Sequence, residues 1–475
     1  MTRLLSRSGW VCAGLLALAA GATRFHNALR YPADWGYDAS FNVRYIYLLT
    51  QRWVLPDPAA GWSTADPPLF FFASALLVRE VDHVATLDQA FRALLFANTA
   101  VGLAIVALAA ALVRRADPEN PRRAMLAAGL LLFLPAHIYM SAMINEEILA
   151  ALFASLVVFA LARPVGANGN GKSELRWAAR VGLAGGLAVL TKLSGVLCIA
   201  AAVASFALRG WRRASLRRAA ACIAVAVLVA GLVGGWFYAR NRIEYGYFQP
   251  HGLQVHERML TMPPGERSPV DYLRVPLATW TDPQLLNPDL LRSVWGSTYA
   301  SLWFDGHRSF LPVEGEAVRR LGTLTLLLAL LPTLAFAVGV VRGTRRSLRS
   351  EAVVDAPLLI LTGLTLAGFA LYTWRNPWFA VVKGTSLLGL CLPFAFYASE
   401  VLDRWTRRRG GVAATVWVLL AALAVAVTFS STFNLAFEKT EIPGLEWESA
   451  QSPPSDPSGA TDGGDPLPSS KPPGL

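Results

Sequence analysis

Two acidic groups lie in apolar, aromatic surroundings where carboxylates can take part in proton transfer. Asp38 follows Tyr37 in a segment rich in tyrosine and phenylalanine, and Asn145-Glu146 places a second carboxylate at the start of a later apolar run. A carboxylate in a partly dry environment can be tuned as a general base. We therefore interpret Asp38 as the candidate base and Glu146 as its catalytic partner. The alternatives are a solvated loop carboxylate for Asp38 and a helix start capped by Asn145.

Basic and imidazole side chains offer binding groups for an anionic substrate. Arg240 lies where one apolar run ends, and Lys383 lies just before another begins. An ionisable residue at membrane depth is a candidate for function, and both cations bind phosphate. Snorkelling or anchoring at lipid headgroups explains the same positions without any chemistry. His137, His251 and His307 are second-line candidates.

A third carboxylate, Asp66, precedes Pro67-Pro68-Leu69 and three phenylalanines. Segment 67–79 is interpreted as a short helix at the membrane surface, with proline in its first turn. Asp66, Tyr37, Asn145 and His137 complete the candidate substrate-binding residues, alongside the two cations. Asp38 and Glu146 are also the candidate ligands of a divalent cation such as Mg²⁺ or Mn²⁺, because such cations prefer carboxylate oxygens.

Membrane-spanning helices must hold these groups in place. The chain has 475 residues, of which 54% are hydrophobic and 16% charged, whereas soluble chains have about 25% charged residues. Because about 20 apolar residues cross the bilayer as a helix, the sequence predicts an all-α integral membrane protein. It is a polytopic bundle of about eleven transmembrane helices, with juxtamembrane helices in the first outer loop. The predicted spans lie near 9–25, 91–113, 124–143, 146–162, 180–192, 193–208, 219–239, 321–341, 355–374, 384–402 and 413–433. Lys192 is the expected turn between the two short spans.

The distribution of charge orients this bundle. Six short segments between the predicted spans are dense in Lys and Arg, and the topology places all six on one side. The positive-inside rule makes that side, and the N-terminus, cytoplasmic. The net charge of +11 therefore reflects the orientation of the bundle in the membrane. We expect no nucleic-acid partner. The outer loops, about 26–90 and 240–320, hold the candidate residues.

Two further segments carry no predicted chemistry. Gly166–Ser173 fits a nucleotide-binding glycine loop, but that loop needs a preceding strand, and a predicted membrane helix stands there instead. It is interpreted as a flexible basic loop. The membrane domain is expected to span 1–435. The remainder, 436–475, is rich in Pro, Ser and Gly and is expected to be a disordered tail.

Taken in order, these motifs resemble GT-C type glycosyltransferases of the dolichyl-phosphate-mannose protein mannosyltransferase and aminoarabinose transferase-like superfamily. An acidic motif follows the first helix in that family, and Asp38 takes its place. The family's His-Pro-Pro-Leu-like motif corresponds to Asp66-Pro67-Pro68-Leu69, with Asp66 in place of the histidine. Later segments with Asn145-Glu146, the run 236–241 and Lys383 are also similar. The resemblance covers roughly residues 1–400.

The resemblance implies an inverting transfer of a sugar from a polyprenyl-phosphate donor to a lipid, glycan or protein acceptor on the extracytoplasmic face. Asp38 would remove the acceptor proton, and Arg240 and Lys383 would stabilise the departing lipid phosphate. It also implies a membrane location, with the bacterial inner membrane as our expectation. The alternatives are a transporter or flippase for a lipid or glycolipid, and a polymerase or ligase of lipid-linked glycans.

Overall fold

The described part of the chain is helical throughout. The computed structural model describes residues 7–163, 171–249, 262–283, 287–304, 315–349, 353–407 and 411–433. Within those residues there is no strand, apart from one isolated bridge between Pro264 and Trp378. The predicted all-α class is confirmed. His251, His307, most of the glycine loop and the predicted tail lie outside the described residues.

The described ranges contain eighteen α-helices, joined in places by short 3₁₀ turns. They are α1 (Arg7–Arg30), α2 (Ala39–Arg52), α3 (Leu69–Asp82), α4 (Leu87–Ala116), α5 (Pro121–Leu132), α6 (Pro135–Ser141), α7 (Glu147–Leu161), α8 (Gly171–Thr191), α9 (Val196–Arg212), α10 (Leu216–Ala230), α11 (Trp236–Tyr245), α12 (Ala278–Thr281), α13 (Pro288–Arg292), α14 (Val294–Trp303), α15 (Glu316–Arg349), α16 (Asp355–Arg375), α17 (Cys391–Thr406) and α18 (Gly411–Ser431). A π-helical turn joins α10 to α11.

Each predicted span falls on one of these helices or on two consecutive ones, and the spans 193–208 and 384–402 begin on the 3₁₀ turns that precede α9 and α17. Within the described residues, seven helical segments are long and apolar enough to cross a membrane, and an eighth is added if α5 and α6 count as one span. Helix α7 is apolar but has only 15 residues, and α1 and α8 do not meet the same criterion. The polytopic helical fold is therefore confirmed, while the count of eleven stays a prediction.

A sharp turn at Lys192 separates α8 from α9. The backbone of Lys192 is extended (φ −157°, ψ 143°) between the two helices. Past the turn, Gly195 lies so close to the backbone of Ala188 that no side chain would fit there. Farther along, the rings of Trp177 and Phe206 meet edge to face with centroids 4.9 Å apart. Residues equally distant from the turn are in contact, so α8 and α9 form the predicted antiparallel pair.

The predicted span 124–143 is bent by 62° between α5 and α6. Pro135 occupies the first turn of α6, and Leu134 before it is extended (φ −87°, ψ 111°). A proline disfavours helical geometry in the preceding residue and supplies no N–H of its own, so the first helix ends there. The bend leaves the last carbonyls of α5 without helical partners.

Arg24 of α1 binds those free carbonyls. Its side chain is fully buried, and its guanidinium donates to the carbonyl oxygens of Leu132 at 2.8 Å and Leu131 at 3.3 Å. It also lies 3.1 Å from Nδ1 of His137. A cation at the C-terminal end of a helix is favourable because that end of the helix dipole is negative. Arg24 thus joins α1 to the bend.

We expect the substitution Arg24→Leu to lower the free energy of unfolding by about 2–4 kcal/mol, because the carbonyl of Leu132 loses its side-chain donor and that of Leu131 keeps only the backbone N–H of Leu134 at 3.4 Å. Arg24→Lys should recover only part of this loss, since a single ammonium does not reproduce the guanidinium fork. Thermal unfolding in detergent measures the effect. Arg30→Leu, on the exposed end of the same helix, is the matched control. Equal stability of the two leucine variants would contradict the assigned role.

Arginines and carboxylates meet at one end of the bundle, which we call the basic end. Arg346 of α15 binds Asp355 of α16 at 2.8 Å and Glu400 of α17 at 2.7 Å. Arg122 binds Asp403 at 2.8 Å. All three carboxylates are buried, so these pairs tie the ends of α5, α15, α16 and α17 together. Other arginines close the same end: Arg115 and Arg209 donate to carbonyls of α7, and Arg212 donates to one of α15.

Candidate active site

Asp38 is held at the opposite end of the bundle in an uncommon backbone conformation. It stands just before α2 with φ 55° and ψ 11°, and its side chain does not cap that helix. Left-handed geometry is rare outside glycine, and Asp and Asn are among the residues that tolerate it. The side chain is 41% exposed. The carboxylate is therefore presented outward, in the way that a group acting on a substrate requires.

Lys383 faces Asp38 from the far end of the sequence. Its Nζ lies 3.5 Å from Oδ2 of Asp38, and 4.8 Å from the centroid of the Tyr37 ring. Its position just before the 3₁₀ turn Gly384–Leu390 fixes this approach. Three of the predicted site residues, Asp38, Tyr37 and Lys383, are therefore in contact.

A half-buried lysine holds two glutamates at the start of α7. Nζ of Lys192 lies 2.8 Å from Oε1 of Glu146 and 2.7 Å from Oε1 of Glu147. Both glutamates are buried, with 7% and 5% of their surface exposed. A charge removed from water is stable only when it is paired. The turn at Lys192 therefore brings the ammonium to the start of α7.

Asp66 interacts electrostatically with both of these groups of charges. Its half-buried carboxyl interacts electrostatically with Glu146, Lys192, Asp38 and Lys383. Burial and the negative charge of Glu146 raise the pKa of this carboxyl well above its usual range, against the opposing effect of the two lysines. Asp66 thus retains a proton at a higher pH than an ordinary carboxyl does.

Hydrogen bonds to the backbone keep the Asp38 loop against the start of α7. Nδ2 of Asn145 donates to the carbonyl oxygen of Tyr37 at 3.1 Å, and Nδ2 of Asn42 donates to that of Ile144 at 2.9 Å. Oδ1 of Asn145 also accepts from the N–H of Glu147 at 2.8 Å, but the residue at the N-cap position of α7 is Glu146 and not the predicted Asn145. At Gly36 (φ 109°), a Cβ would overlap the side chain of Met143. The hydrogen bond between Asn145 and Tyr37 therefore joins the two residues that directly precede Glu146 and Asp38 in the chain.

Arg240 lies at the same end but is bound within its own helix. Its guanidinium pairs with Glu244 at 2.8 Å and donates to the hydroxyl of Tyr245 at 3.2 Å. Its charge still reaches Tyr45 of α2, whose pKa is raised by burial and by Asp66 and lowered by Arg240. Any phosphate that binds Arg240 must compete with Glu244.

His137 is not brought to these charges. Its side chain is completely buried in α6, with Nδ1 against the guanidinium of Arg24. A histidine packed beside a buried cation at a helix bend has a structural contact there and no route to a substrate at the Asp38 loop. The two other histidine candidates, His251 and His307, lie outside the described residues.

The carboxylates do not form a metal-binding set. No group of three or more His, Cys, Asp or Glu side chains suitable for a cation occurs in the described ranges. Glu146 and Glu147 bind the ammonium of Lys192, and Asp38 faces that of Lys383. The ammonium groups of Lys192 and Lys383 therefore occupy the positions that a metal ion would need next to these carboxylates. We derive no step through a metal ion.

Lys192 and Glu147 belong to the cluster although the sequence analysis did not select them. Lys192 is a lone cation between two apolar runs, and an ionisable residue at membrane depth is a functional candidate by default. The sequence therefore marks Lys192 as a functional candidate as well as the expected turn between two spans. Glu147 differs from Glu146 by one position, and the sequence offers no means of choosing between them. We call Asp38, Asp66, Glu146, Glu147, Lys192 and Lys383 the charged cluster.

The sequence of the central part of the chain matches a known family. Residues 67–236 match the family model described as dolichyl-phosphate-mannose-protein mannosyltransferase. This segment includes Glu146, Glu147 and Lys192 of the charged cluster. No curated protein matches the chain in sequence.

The fold is similar to that of a solved archaeal oligosaccharyltransferase. The apo oligosaccharyltransferase of Archaeoglobus fulgidus aligns with a TM-score of 0.54 and 14% identity, over 93% of this chain and 58% of that protein. The oligosaccharyltransferase AglB of the same organism, in complex with an inhibitory peptide and a dolichol-phosphate, gives 0.54 and 15%, over 93% and 58%. ArnT of Cupriavidus metallidurans, bound to undecaprenyl phosphate, gives 0.40 and 16%, over 85% and 82%. The chain thus spans little more than half the length of the archaeal enzyme. The sequence match to the mannosyltransferase family model is thus confined to residues 67–236, and the likeness to the archaeal enzyme is one of fold.

Proposed function

We propose that the protein transfers a sugar from a polyprenyl-phosphate donor to an acceptor hydroxyl at the charged cluster. The observation that carries this proposal is the contact between Asp38 and Lys383, an outward-facing carboxylate beside an ammonium. One group accepts a proton and the other stabilises a phosphate, and a transfer from a lipid phosphate needs both. AglB, whose fold is similar, was solved with a dolichol-phosphate, and this supports the choice of donor class.

The reaction follows from the positions of the two groups. Asp38 accepts the proton of the acceptor hydroxyl as the oxygen attacks the anomeric carbon. A new bond forms between that carbon and the acceptor oxygen, while the bond to the donor phosphate oxygen breaks with its electron pair. The configuration of the anomeric carbon is inverted, and the lipid phosphate leaves with an additional negative charge. Lys383 stabilises that charge, and Arg240 adds to it by exchanging Glu244 for the phosphate.

The remaining members of the charged cluster position these reacting groups. Lys192 fixes the glutamates at the start of α7, and Asn145 connects that helix start to the Asp38 loop. We further propose that Glu146 orients the acceptor near Asp38, and that the basic end faces the cytoplasm, as the positive-inside rule predicts. The charged cluster would then act on the extracytoplasmic side, in our expectation that of a bacterial inner membrane.

Binding of the lipid phosphate by Lys383 predicts a specific loss. In the Lys383→Gln variant, we expect the product polyprenyl phosphate to inhibit transfer about 10–100-fold more weakly, because a charge-assisted contact is lost. Purified full-length protein in nanodiscs, supplied with polyprenyl-phosphate mannose, glucose and arabinose donors, provides the assay. Transfer of any of these sugars supports the proposed function.

The control for this experiment is Arg375→Gln, which removes an exposed cation at the end of α16. Its inhibition constant should stay within about twofold of the parent value, as expected for an exposed charge. Unchanged inhibition in the Lys383 variant would assign that lysine to anchoring alone. Absence of transfer with every polyprenyl-phosphate sugar, in protein that binds polyprenyl phosphate, would contradict the proposed reaction.

A further inference from the structure

A small cleft opens at the basic end, far from the charged cluster, between the last turns of α9 and the first turn of α16. Its volume is about 40 Å³, and it is lined by Ser205, Arg209, Arg212 and Arg213 on one side and by Val353, Ala356 and Pro357 on the other. A single buried water needs about 10–15 Å³ of such space. The cleft therefore has room for the oxygens of one small anion.

Two buried polar atoms in this cleft have no partner within the protein. The side chain of Ser205 is among the buried residues, with 6% of its surface exposed, and its Oγ makes no hydrogen bond. Nη1 of Arg209 is likewise buried and without a partner. The other end of that guanidinium is fixed, because Nη2 donates to Leu161 at 3.1 Å and the group lies over the ring of Trp177. Unpaired buried donors are costly, so their presence at a cleft indicates a ligand.

The charge around the cleft selects an anion. Arg212 and Arg213 line it together with Arg209. On the opposite wall, α16 begins without a side-chain cap, so the positive end of its dipole also faces the cleft. The first residue of that helix, Asp355, is bound through both carboxylate oxygens by Arg346. Its negative charge is thereby compensated.

The position of the cleft fits a lipid headgroup. It lies at the end of α9, a membrane-spanning segment, where Trp211 is 73% exposed. Exposed tryptophans mark the headgroup level of a bilayer, and basic clefts between transmembrane helices bind anionic headgroups. We propose that this cleft binds the phosphate of an anionic molecule, either a phospholipid headgroup or free phosphate, through Ser205, Arg209, Arg212 and Arg213.

Native mass spectrometry of the full-length protein tests this site with three probes: phosphatidylglycerol, phosphatidylcholine and inorganic phosphate. We expect phosphatidylglycerol to bind more tightly than phosphatidylcholine. The pair Arg212→Gln/Arg213→Gln should raise its dissociation constant about tenfold, as the loss of one net charge-assisted contact predicts. Ser205→Leu, which fills the cleft without changing any charge, should have a similar effect.

The matched control is Arg217→Gln/Arg218→Gln, which removes the same charge from the exposed start of α10, a few residues away. It should change binding by less than about twofold. If phosphate alone binds with the same dependence on Ser205 and the arginine pair, free phosphate is the ligand and the site is still supported. Equal loss in both arginine pairs would overturn the proposal, and so would equal binding of the two lipids in a protein that does not bind phosphate at this site. The melting temperature of each variant without ligand separates loss of the site from loss of the fold.

Discussion

Asp38→Asn should reduce sugar transfer by about 10²–10⁴-fold, the range expected when a general base is removed, while the protein remains folded. Asn is the right substitution because Asp38 has a left-handed backbone (φ 55°, ψ 11°), which Asn tolerates and Ala does not. The amide has nearly the same shape as the carboxylate but cannot accept the acceptor proton. The change therefore removes the proposed chemistry and leaves the loop as it is.

The measurement is transfer from a polyprenyl-phosphate sugar under single-turnover conditions, together with the melting temperature. Asp34→Asn is the matched control, since Asp34 is an exposed carboxylate in the same loop. It should retain full activity. Donor binding by Asp38→Asn should persist, because the donor phosphate is assigned to Lys383 and Arg240. More than about a tenth of the parent rate in the Asp38 variant is too much for loss of a general base and would exclude Asp38 from that role.

The transmembrane helices were predictable because the thickness of the bilayer sets the length of the apolar run that crosses it. The turn at Lys192 was predictable for the same reason, since two basic segments had to return to one side. The bend at Pro135 changes one predicted span into two helices. Its local cause, a proline in the middle of an apolar run, is visible in the sequence, but its angle depends on how Arg24 and α1 pack against it.

The contacts of the site were predictable only in part. Asp38 and Lys383 were both selected, and the structure brings them within 3.5 Å. The partners of the other selected side chains were not predictable, because tertiary packing determines which side chains meet. Arg240 pairs with Glu244 one turn away, His137 packs against Arg24, and Glu146 shares Lys192 with Glu147. A sequence shows which charges exist near an interface, but it does not show how they are paired.

Lys192→Met should be the most destabilising single change in the charged cluster, lowering the free energy of unfolding by about 3–5 kcal/mol. The ammonium contacts both buried carboxylates at less than 3 Å. Without it, Glu146 and Glu147 are left buried and without a counter-ion. Lys172→Met is the control, since Lys172 is exposed in the first turn of α8, the helix that ends just before Lys192, and should change stability by less than about 1 kcal/mol.

Replacing both glutamates by glutamine tests whether Lys192 stabilises the protein through its charge or through the packing of its side chain. The triple variant Lys192→Met/Glu146→Gln/Glu147→Gln should recover most of the stability, because no unpaired charge remains buried. Thermal unfolding of the three proteins measures the effect. A triple variant as unstable as Lys192→Met would show that the lysine acts through its packing and not through its charge.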